Sequence, residues 1–532
     1  MTDQSFSKIL QRSYAAFRNK VAVQDTDEML TYGKLGAAAW ALAADLRARG
    51  VRRGDHAVVI MRNSAPAVVV EHALMLSGVV RVGLATRLSP AEVAHVVSDC
   101  TAAVLIVDEE WSVRLPEVAE LCDSGLPDVI LSAPLERPLE RAASADGLPE
   151  NPPAALRDIV DDPPGGSECA LILYTSGTTG RAKGVVLSHN VFVAMIEGLL
   201  VAVPGLARGG VVGHCLPLPH ATGMILAASV TMGGTQLLFD SARPEALLDS
   251  IEAYRCSVVT MVPTVIQSVA EEQARQPRDV SSLQAIPYTG APITPSALDS
   301  AIRILGPVFV QYYAQSEALP PLTLLSQEDH AQALQDPRIL SSAGRVFPFV
   351  DMRIADDAGA ECRPGDVGEV WVRASTATSG YLNMLEATEN LFAGEGWLRT
   401  GDLGYIDARG YLYLVDRLKE VIISGGFNVY PAEVEAALSQ VPWVREVAVF
   451  GVPDDRWGEA VAVAFSLKGH DGVPQDLASA SQELEACSRR QLADYKTPRK
   501  FFRMNELPKN ANGKIDKRKL RESHWSEMGR MI

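Results

Sequence analysis

Residues 174–184 read YTSGTTGRAKG, directly after the apolar run ALILY (170–174). Glycines, four hydroxyl side chains and a lysine within so short a span are the ingredients of a phosphate-holding loop. Gly177 and Gly180 permit positive φ and close backbone approach, while Thr175, Ser176, Thr178 and Thr179 supply donors. The P-loop of ordinary NTPases requires GxxxxGK[ST] between a strand and a helix. Here Gly177 is followed by Gly180, Lys183 and Gly184, so the spacing fails and no Ser or Thr follows the lysine. Lys183 is the one lysine between Lys34 and Lys419. As a compact, flexible point charge it suits a mobile phosphate contact better than a guanidinium fork would.

Outward from this loop, the chain is read as repeated α/β units. LTYGKLGAAAWALAADLRARG carries a helical apolar stripe closed by glycine. HAVVIMRN, AVLIVD, DVILSA, ALILYTSG, TQLLFD, CSVVTMVP and AIPYTG are short β-branched or apolar runs ended by turn residues. Strands of that kind predict parallel sheets with covering helices. The stretch 149–168, PENPPAALRDIVDDPPGGSE, reads as a loop delivering the chain to ALILY. From about residue 345 glycine-punctuated short strands predict hairpins in a small barrel or sheet. After Arg417 a strand, a helix (PAEVEAALSQ) and a strand pair predict a further domain, with a boundary near Leu418 and Lys419.

A chain of 532 residues exceeds one hydrophobic core. With 47% hydrophobic and 21% charged residues it reads as a globular protein; no apolar run approaches a membrane span, and MTDQSFSKILQRSY lacks a signal-peptide layout, so a cytoplasmic location is expected. Seven scattered cysteines, never in a CxxC pair, argue against a disulfide framework and a zinc site. The net charge of −16 (49 basic against 65 acidic residues) disfavours nucleic acid as a partner. Only residues 496–532 are locally basic, with eleven Lys or Arg against four acids.

The opening stretch, extended to YTSGTTGRAKGVVLSH, resembles the signature of the adenylate-forming enzymes: acyl- and aryl-CoA synthetases, luciferases and peptide-synthetase adenylation domains. Further stretches match in the same order: CLPLPHATG (215–223), TGAPI (289–293), QYYAQSEA (311–318), GDVGEVWVR (365–373), SGYLNMLEATENLF (379–392), the run from Gly396 to Glu435, and LPKNANGKIDKRKL (507–520). The resemblance implies a large N-terminal domain, 1–417, of two stacked α/β subdomains plus a small β-barrel-like subdomain. A hinge at 418–419 and a mobile α+β C-terminal domain, 420–532, would follow. It also implies two steps: a carboxylate attacks the α-phosphate of ATP to give an acyl-adenylate and pyrophosphate, and a thiol then displaces AMP.

Residue roles follow by resemblance. Thr175, Ser176, Gly177, Thr178, Thr179, Gly180 and Lys183 would hold the β- and γ-phosphates. Gly290, Ala291 and Pro292 would border adenine, with Tyr313 stacked on it. Glu317, with Ser316 beside it, would hold Mg²⁺, which needs few protein carboxylates. Asp402 would take the ribose hydroxyls, backed by Arg417. Lys514 would be the catalytic lysine, bridging the substrate carboxylate and the α-phosphate; Lys419 would be the hinge; Gly425 and Gly426 would line the thiol passage.

The acid pocket would include His220, Thr289, Tyr312 and Pro320. Many relatives carry glycine at the positions of Thr289 and Tyr312, so larger side chains there predict a shortened pocket, with Tyr312 offering a ring face and a hydroxyl to an aromatic acid. Ala221 departs from the asparagine of relatives that activate dihydroxybenzoate. The expected activity is an ATP-, Mg²⁺- and coenzyme A-dependent ligase for an aryl or short carboxylic acid. The alternatives are a stand-alone enzyme loading a carrier protein, a medium- or long-chain fatty acyl-CoA ligase, and a luciferase-like oxygenase.

Overall fold

The computed structural model describes residues 4–122, 125–131, 161–175, 182–219, 221–239, 241–289, 293–454, 456–468, 474, 476–510 and 514–525. The chain divides into two compact units. The first comprises Met1–Met352, Val372–Leu398 and Arg409–Leu412; the second comprises Arg353–Trp371, Arg399–Ala408 and Tyr413–Ile532.

In the first unit, a seven-stranded sheet runs in the order Gly380–Tyr381, Lys183–Ser188, Cys169–Thr175, Val80–Gly83, His56–Ile60, Val104–Val107, Asp128–Leu131. Its strands pair in parallel except at the Lys183–Ser188 strand, which is antiparallel to both neighbours. The reason its strands are apolar throughout is visible residue by residue. Ala57, Val59, Val104 and Ile106 face one core, while Val58, Ile60, Leu105 and Val107 face another, so both faces are covered. The first core contains the helices Tyr32–Ala48, Ala65–Ser77, His189–Ala202 and Ala221–Thr231. These also cover a five-stranded sheet ordered Val258–Thr260, Val211–His214, Thr235–Leu238, Val21–Gln24, Met29–Thr31. Two sheets thus share one helical layer, the stacked α/β arrangement expected. Local signals fix the helix ends: Ser64 accepts from the Ala67 amide at the start of Ala65–Ser77, and Gly78 closes that helix at φ +70°. A third sheet orders Ile286–Tyr288, Phe309–Tyr313, Thr323–Leu325 and Arg345–Val346, with the first pair parallel.

The second unit holds most of a four-stranded sheet ordered Val350–Ala355, Gly368–Ala374, Leu398–Ile406, Leu412–Arg417, whose first, third and last strands begin, and whose second strand ends, in residues assigned to the first unit. It also holds a five-stranded sheet in which Val444–Asp454 and Gly458–Leu467 form the long antiparallel centre, with Lys500–Arg503 parallel to the latter. Alternation works here too. Val449, Val461, Val463 and Phe465 pack with Val434, Leu438 and Leu484 on one face, and Phe450, Val452, Ala462 and Ala464 pack with Leu507 and Leu520 on the other. Leu418 and Lys419 lie in this unit, in the 3-10 turn Leu418–Glu420. Among the described residues no helix is long and apolar enough to cross a membrane, and all seven cysteines are free thiols.

Candidate active site

The loop expected to hold phosphate is entered from Cys169–Thr175 and left along Lys183–Ser188, antiparallel strands in which Thr175 pairs with Lys183. The loop therefore links two sheet strands and does not run into a helix N-terminus, which explains the failed P-loop spacing. Ser176, Gly177, Thr178, Thr179 and Gly180 lie outside the described residues. Lys183 places its ammonium 5.1 Å from the centroid of the Tyr381 ring. The Tyr381 hydroxyl donates to Glu317 Oε1 at 2.8 Å. The backbone around Tyr381 is zipped onto the loop's exit strand, with Gly380 opposite Val186 and Tyr381 opposite Val185. Gly380 must be glycine: at φ +139° a Cβ would fall 2.3 Å from Thr388 Cγ2. Tyr381 thus joins the loop lysine to the carboxylate expected to hold Mg²⁺, a role the sequence reading did not give it, although it lies in the matched stretch 379–392.

Glu317 is half-buried, and its carbonyl accepts from the Thr378 amide at 2.8 Å. No cluster of three or more His, Cys, Asp or Glu suited to a metal exists among the described residues. A single carboxylate, oriented by Tyr381 and with Ser316 adjacent, fits a Mg²⁺ that completes its shell with phosphate oxygens and water.

Tyr312 and Tyr313 end the strand Phe309–Tyr313, and Thr289 follows the parallel strand Ile286–Tyr288. Carboxyl ends of adjacent parallel strands are where open α/β sheets present ligand-binding side chains. Thr289 Oγ1 donates to the Tyr312 carbonyl at 2.9 Å, tying the two positions together. Tyr313 is buried, and so is Pro320, whose peptide bond to Pro321 is cis. Tyr312 is 1% exposed and its hydroxyl has no hydrogen-bond partner among the described residues; burial pushes its pKa well up. Gly290, Ala291, Pro292 and His220 lie outside the described residues.

Beneath the start of Ala221–Thr231 runs a buried polar chain that the sequence reading missed. Gln236 Nε2 donates to Ser229 Oγ (2.9 Å) and the Gly234 carbonyl (2.8 Å). Its Oε1 must then accept from His214 Nε2 (2.9 Å), leaving His214 Nδ1 to accept from the Thr222 hydroxyl (2.9 Å). Burial drives the His214 pKa down to about 4, which keeps the ring neutral near pH 7 and so leaves Nδ1 as the acceptor. The chain fixes the helix turn that follows residues 220–221.

In the second unit, three residues far apart in sequence meet. Asp402, 5% exposed, pairs with Arg417 (Nε to Oδ1 2.8 Å). Lys514 stays solvent-accessible, yet desolvation by surrounding protein and repulsion from Arg417 push its pKa below the usual lysine range, against the attraction of Asp402. The Lys514 turn is pinned by Asn510, whose amide donates to the Lys514 carbonyl (2.8 Å) and whose Oδ1 accepts from the Lys514 amide (3.1 Å). Gly425 and Gly426 adopt φ +59° and +85°. A Cβ on Gly425 would fall 2.6 Å from the Trp457 ring, whereas Gly426 faces open space. The Arg456 and Arg499 guanidiniums lie 4.8 and 4.3 Å from the centroid of the Trp457 ring.

Comparison with known proteins identifies the family. The family model of the AMP-binding enzymes matches residues 10–382, and that of the AMP-binding enzyme C-terminal domain matches 433–514. The feruloyl-CoA synthase of an Amycolatopsis species is 35% identical over 94% of this chain and 95% of its own length. The medium/long-chain-fatty-acid–CoA ligase of Mycobacterium tuberculosis is 31% identical over 97% and 89%. Among solved structures, the o-succinylbenzoate CoA synthetase of Bacillus subtilis in complex with its acyl-adenylate intermediate superposes with a TM-score of 0.83 at 30% identity, covering 98% of both chains. The chain belongs to the AMP-binding enzyme family: it is an AMP-forming ligase that activates a carboxylic acid with ATP.

Proposed function

We propose that the acid is an aryl or short carboxylic acid with a polar substituent, and that coenzyme A is the acceptor. The observation that carries the first part is the Tyr312 hydroxyl, buried and unpartnered among the described residues, on a strand end where the family resemblance leads one to expect glycine. A buried hydroxyl without a partner costs about 1–3 kcal/mol, a cost that a ligand's hydrogen-bonding group would remove. The bulk of Tyr312 and Thr289 favours a short pocket over a long acyl channel.

The roles of the remaining residues are part of this reading. The loop 175–183 holds the leaving pyrophosphate, with Lys183 steadied against Tyr381 and close to Glu317. Mg²⁺, held by Glu317 with Ser316 beside it, neutralises phosphate charge when bound. Gly290–Pro292 and Tyr313 take adenine, and Asp402 and Arg417 take the ribose. Lys514 meets the carboxylate and α-phosphate as charge gathers between them, which is positioning and electrostatics more than covalent chemistry. Lys419 is the hinge that exchanges Lys514 for the Gly425–Gly426 face before thioester formation. His220 and Pro320 complete the acid pocket.

The test is a panel of benzoates, hydroxybenzoates, cinnamates, and short and long fatty acids, read as pyrophosphate release with and without coenzyme A. The account expects turnover with ring-bearing or short acids and thioester product with coenzyme A. Preference for long-chain acids would refute the pocket reading, and turnover only with a phosphopantetheinylated carrier protein would refute the acceptor.

A further inference from the structure

Downstream of Lys514 the helix Lys517–Trp525 begins with a lysine held between carboxylates. Lys517 Nζ lies 3.0 Å from Glu420 Oε2 and 2.9 Å from Glu435 Oε1, with its side chain 18% exposed. Although burial opposes its charge, Glu435 and Glu420 hold its pKa above the usual lysine range. Each partner is itself anchored. Glu420 belongs to the turn Leu418–Glu420, directly after Lys419. Glu435 sits on the helix Pro431–Leu438, and its Oε1 also accepts from the Val449 amide at 2.7 Å. Four residues on, Arg521 donates from the same helix face to the Lys419 carbonyl at 3.2 Å. Asp416, the third carboxylate in the field of Lys517, accepts from the Arg417 amide (2.7 Å) and from the Ala432 amide (2.9 Å). In doing so it caps the Pro431–Leu438 helix, whose own N-cap Tyr430 makes no side-chain cap.

The turn that carries Lys514 is thus held from both ends. Upstream, Lys509 pairs with Glu446 at 2.8 Å and bridges to Ile515. Downstream, the Asp516 amide donates to the Pro508 carbonyl at 2.7 Å, and the next residue is Lys517. A side chain at Lys514 has four rotatable bonds of its own, so its aim depends on a backbone that does not shift. The ion pairs of Lys517 connect that backbone to the segment immediately following Lys419.

We propose that Lys517, through Glu420 and Glu435, is a positioning residue for acid activation: it ties the Lys514-bearing turn to the 418–420 turn, so that Lys514 arrives in register when that turn is in the arrangement seen here. Lys517 touches no substrate. The inference rests on Lys514 acting in the first half-reaction, and the experiment keeps the two apart.

Full-length Lys517→Gln, Lys517→Arg, Glu420→Gln and Lys514→Ala enzymes are compared in acid-dependent pyrophosphate exchange, in thioester formation from supplied acyl-adenylate, and in thermal midpoint. Misplacement of a catalytic group costs on the order of tenfold to a hundredfold in rate, so Lys517→Gln should lower the exchange kcat by that factor, leaving the KM for the acid and the thioester step unchanged. Lys517→Arg should restore most of the rate. Glu420→Gln removes one arm of the tie without stranding the more buried Glu435, and should give a smaller loss confined to exchange even if Lys517→Gln folds poorly. Equal loss in both half-reactions, or an unaltered exchange rate in Glu420→Gln, overturns the proposal. If Lys514→Ala retains exchange, it is the role of Lys514 that fails.

Discussion

Tyr312→Phe separates a structural tyrosine from one that reads the substrate. The ring is buried in the main core of the first unit, and its hydroxyl pairs with no group among the described residues. Removing the oxygen keeps the packing and relieves a desolvation cost of about 1–3 kcal/mol, so the substrate-free enzyme should become more stable, not less. With an acid whose polar substituent bonds the hydroxyl, the variant forfeits a net hydrogen bond of about 0.5–1.5 kcal/mol, which lowers kcat/KM by about two- to thirteen-fold. An acid with a bare ring should lose nothing. The assay is pyrophosphate release for matched pairs of substituted and unsubstituted acids, alongside the unfolding midpoint without substrate. A destabilised Tyr312→Phe enzyme, or an equal loss for both members of every pair, would refute the reasoning.

Asp402→Asn should raise the KM for ATP on the order of ten- to a hundredfold, the worth of hydrogen bonds to a charged group; an unchanged KM removes Asp402 from the ribose site. Gly425→Ala and Gly426→Ala should both slow thioester formation more than pyrophosphate exchange, with Gly425→Ala the less stable because its Cβ meets Trp457. Parallel losses in the two steps would take the glycines out of the thiol passage. His214 is neutral in the fold with a pKa of about 4 against about 6.5 when unfolded, so below 6.5 the unfolded state binds the proton first and stability falls as pH falls. Between pH 7 and pH 5 the stability advantage of wild type over His214→Leu should shrink by about 2 kcal/mol, read from denaturant midpoints. A pH-independent difference would show that His214 is not held neutral.

Sequence patterns were sufficient where the physics is local. Strands buried on both faces, such as Val104–Val107, are written as unbroken apolar runs, and helix ends such as Ser64 and Gly78 carry their caps beside them. Asp402, Arg417 and Lys514 were found through matched motifs, and the fold brings them into one neighbourhood. What escaped were groups defined by partners distant in sequence. Tyr381 gains its meaning from Glu317 and Lys183, the His214 chain from Gln236 and Thr222, and Lys517 from Glu420 and Glu435. No periodicity marks such residues, because a lysine at a helix start and a tyrosine in a strand are ordinary until their neighbours are known. Lys517 in particular reads as one more charge in a basic tail, whereas the fold surrounds it with carboxylates.

The most direct test of the account is to separate the half-reactions in wild type and Lys514→Ala. Acid-dependent exchange of labelled pyrophosphate into ATP, measured without coenzyme A, should be present in wild type and fall on the order of 10²–10³-fold in the variant, the cost of losing a group aimed at transition-state charge. Thioester formation from supplied acyl-adenylate should survive in both. Release of ADP and phosphate in place of AMP and pyrophosphate, or equal loss of the two steps in Lys514→Ala, would contradict it.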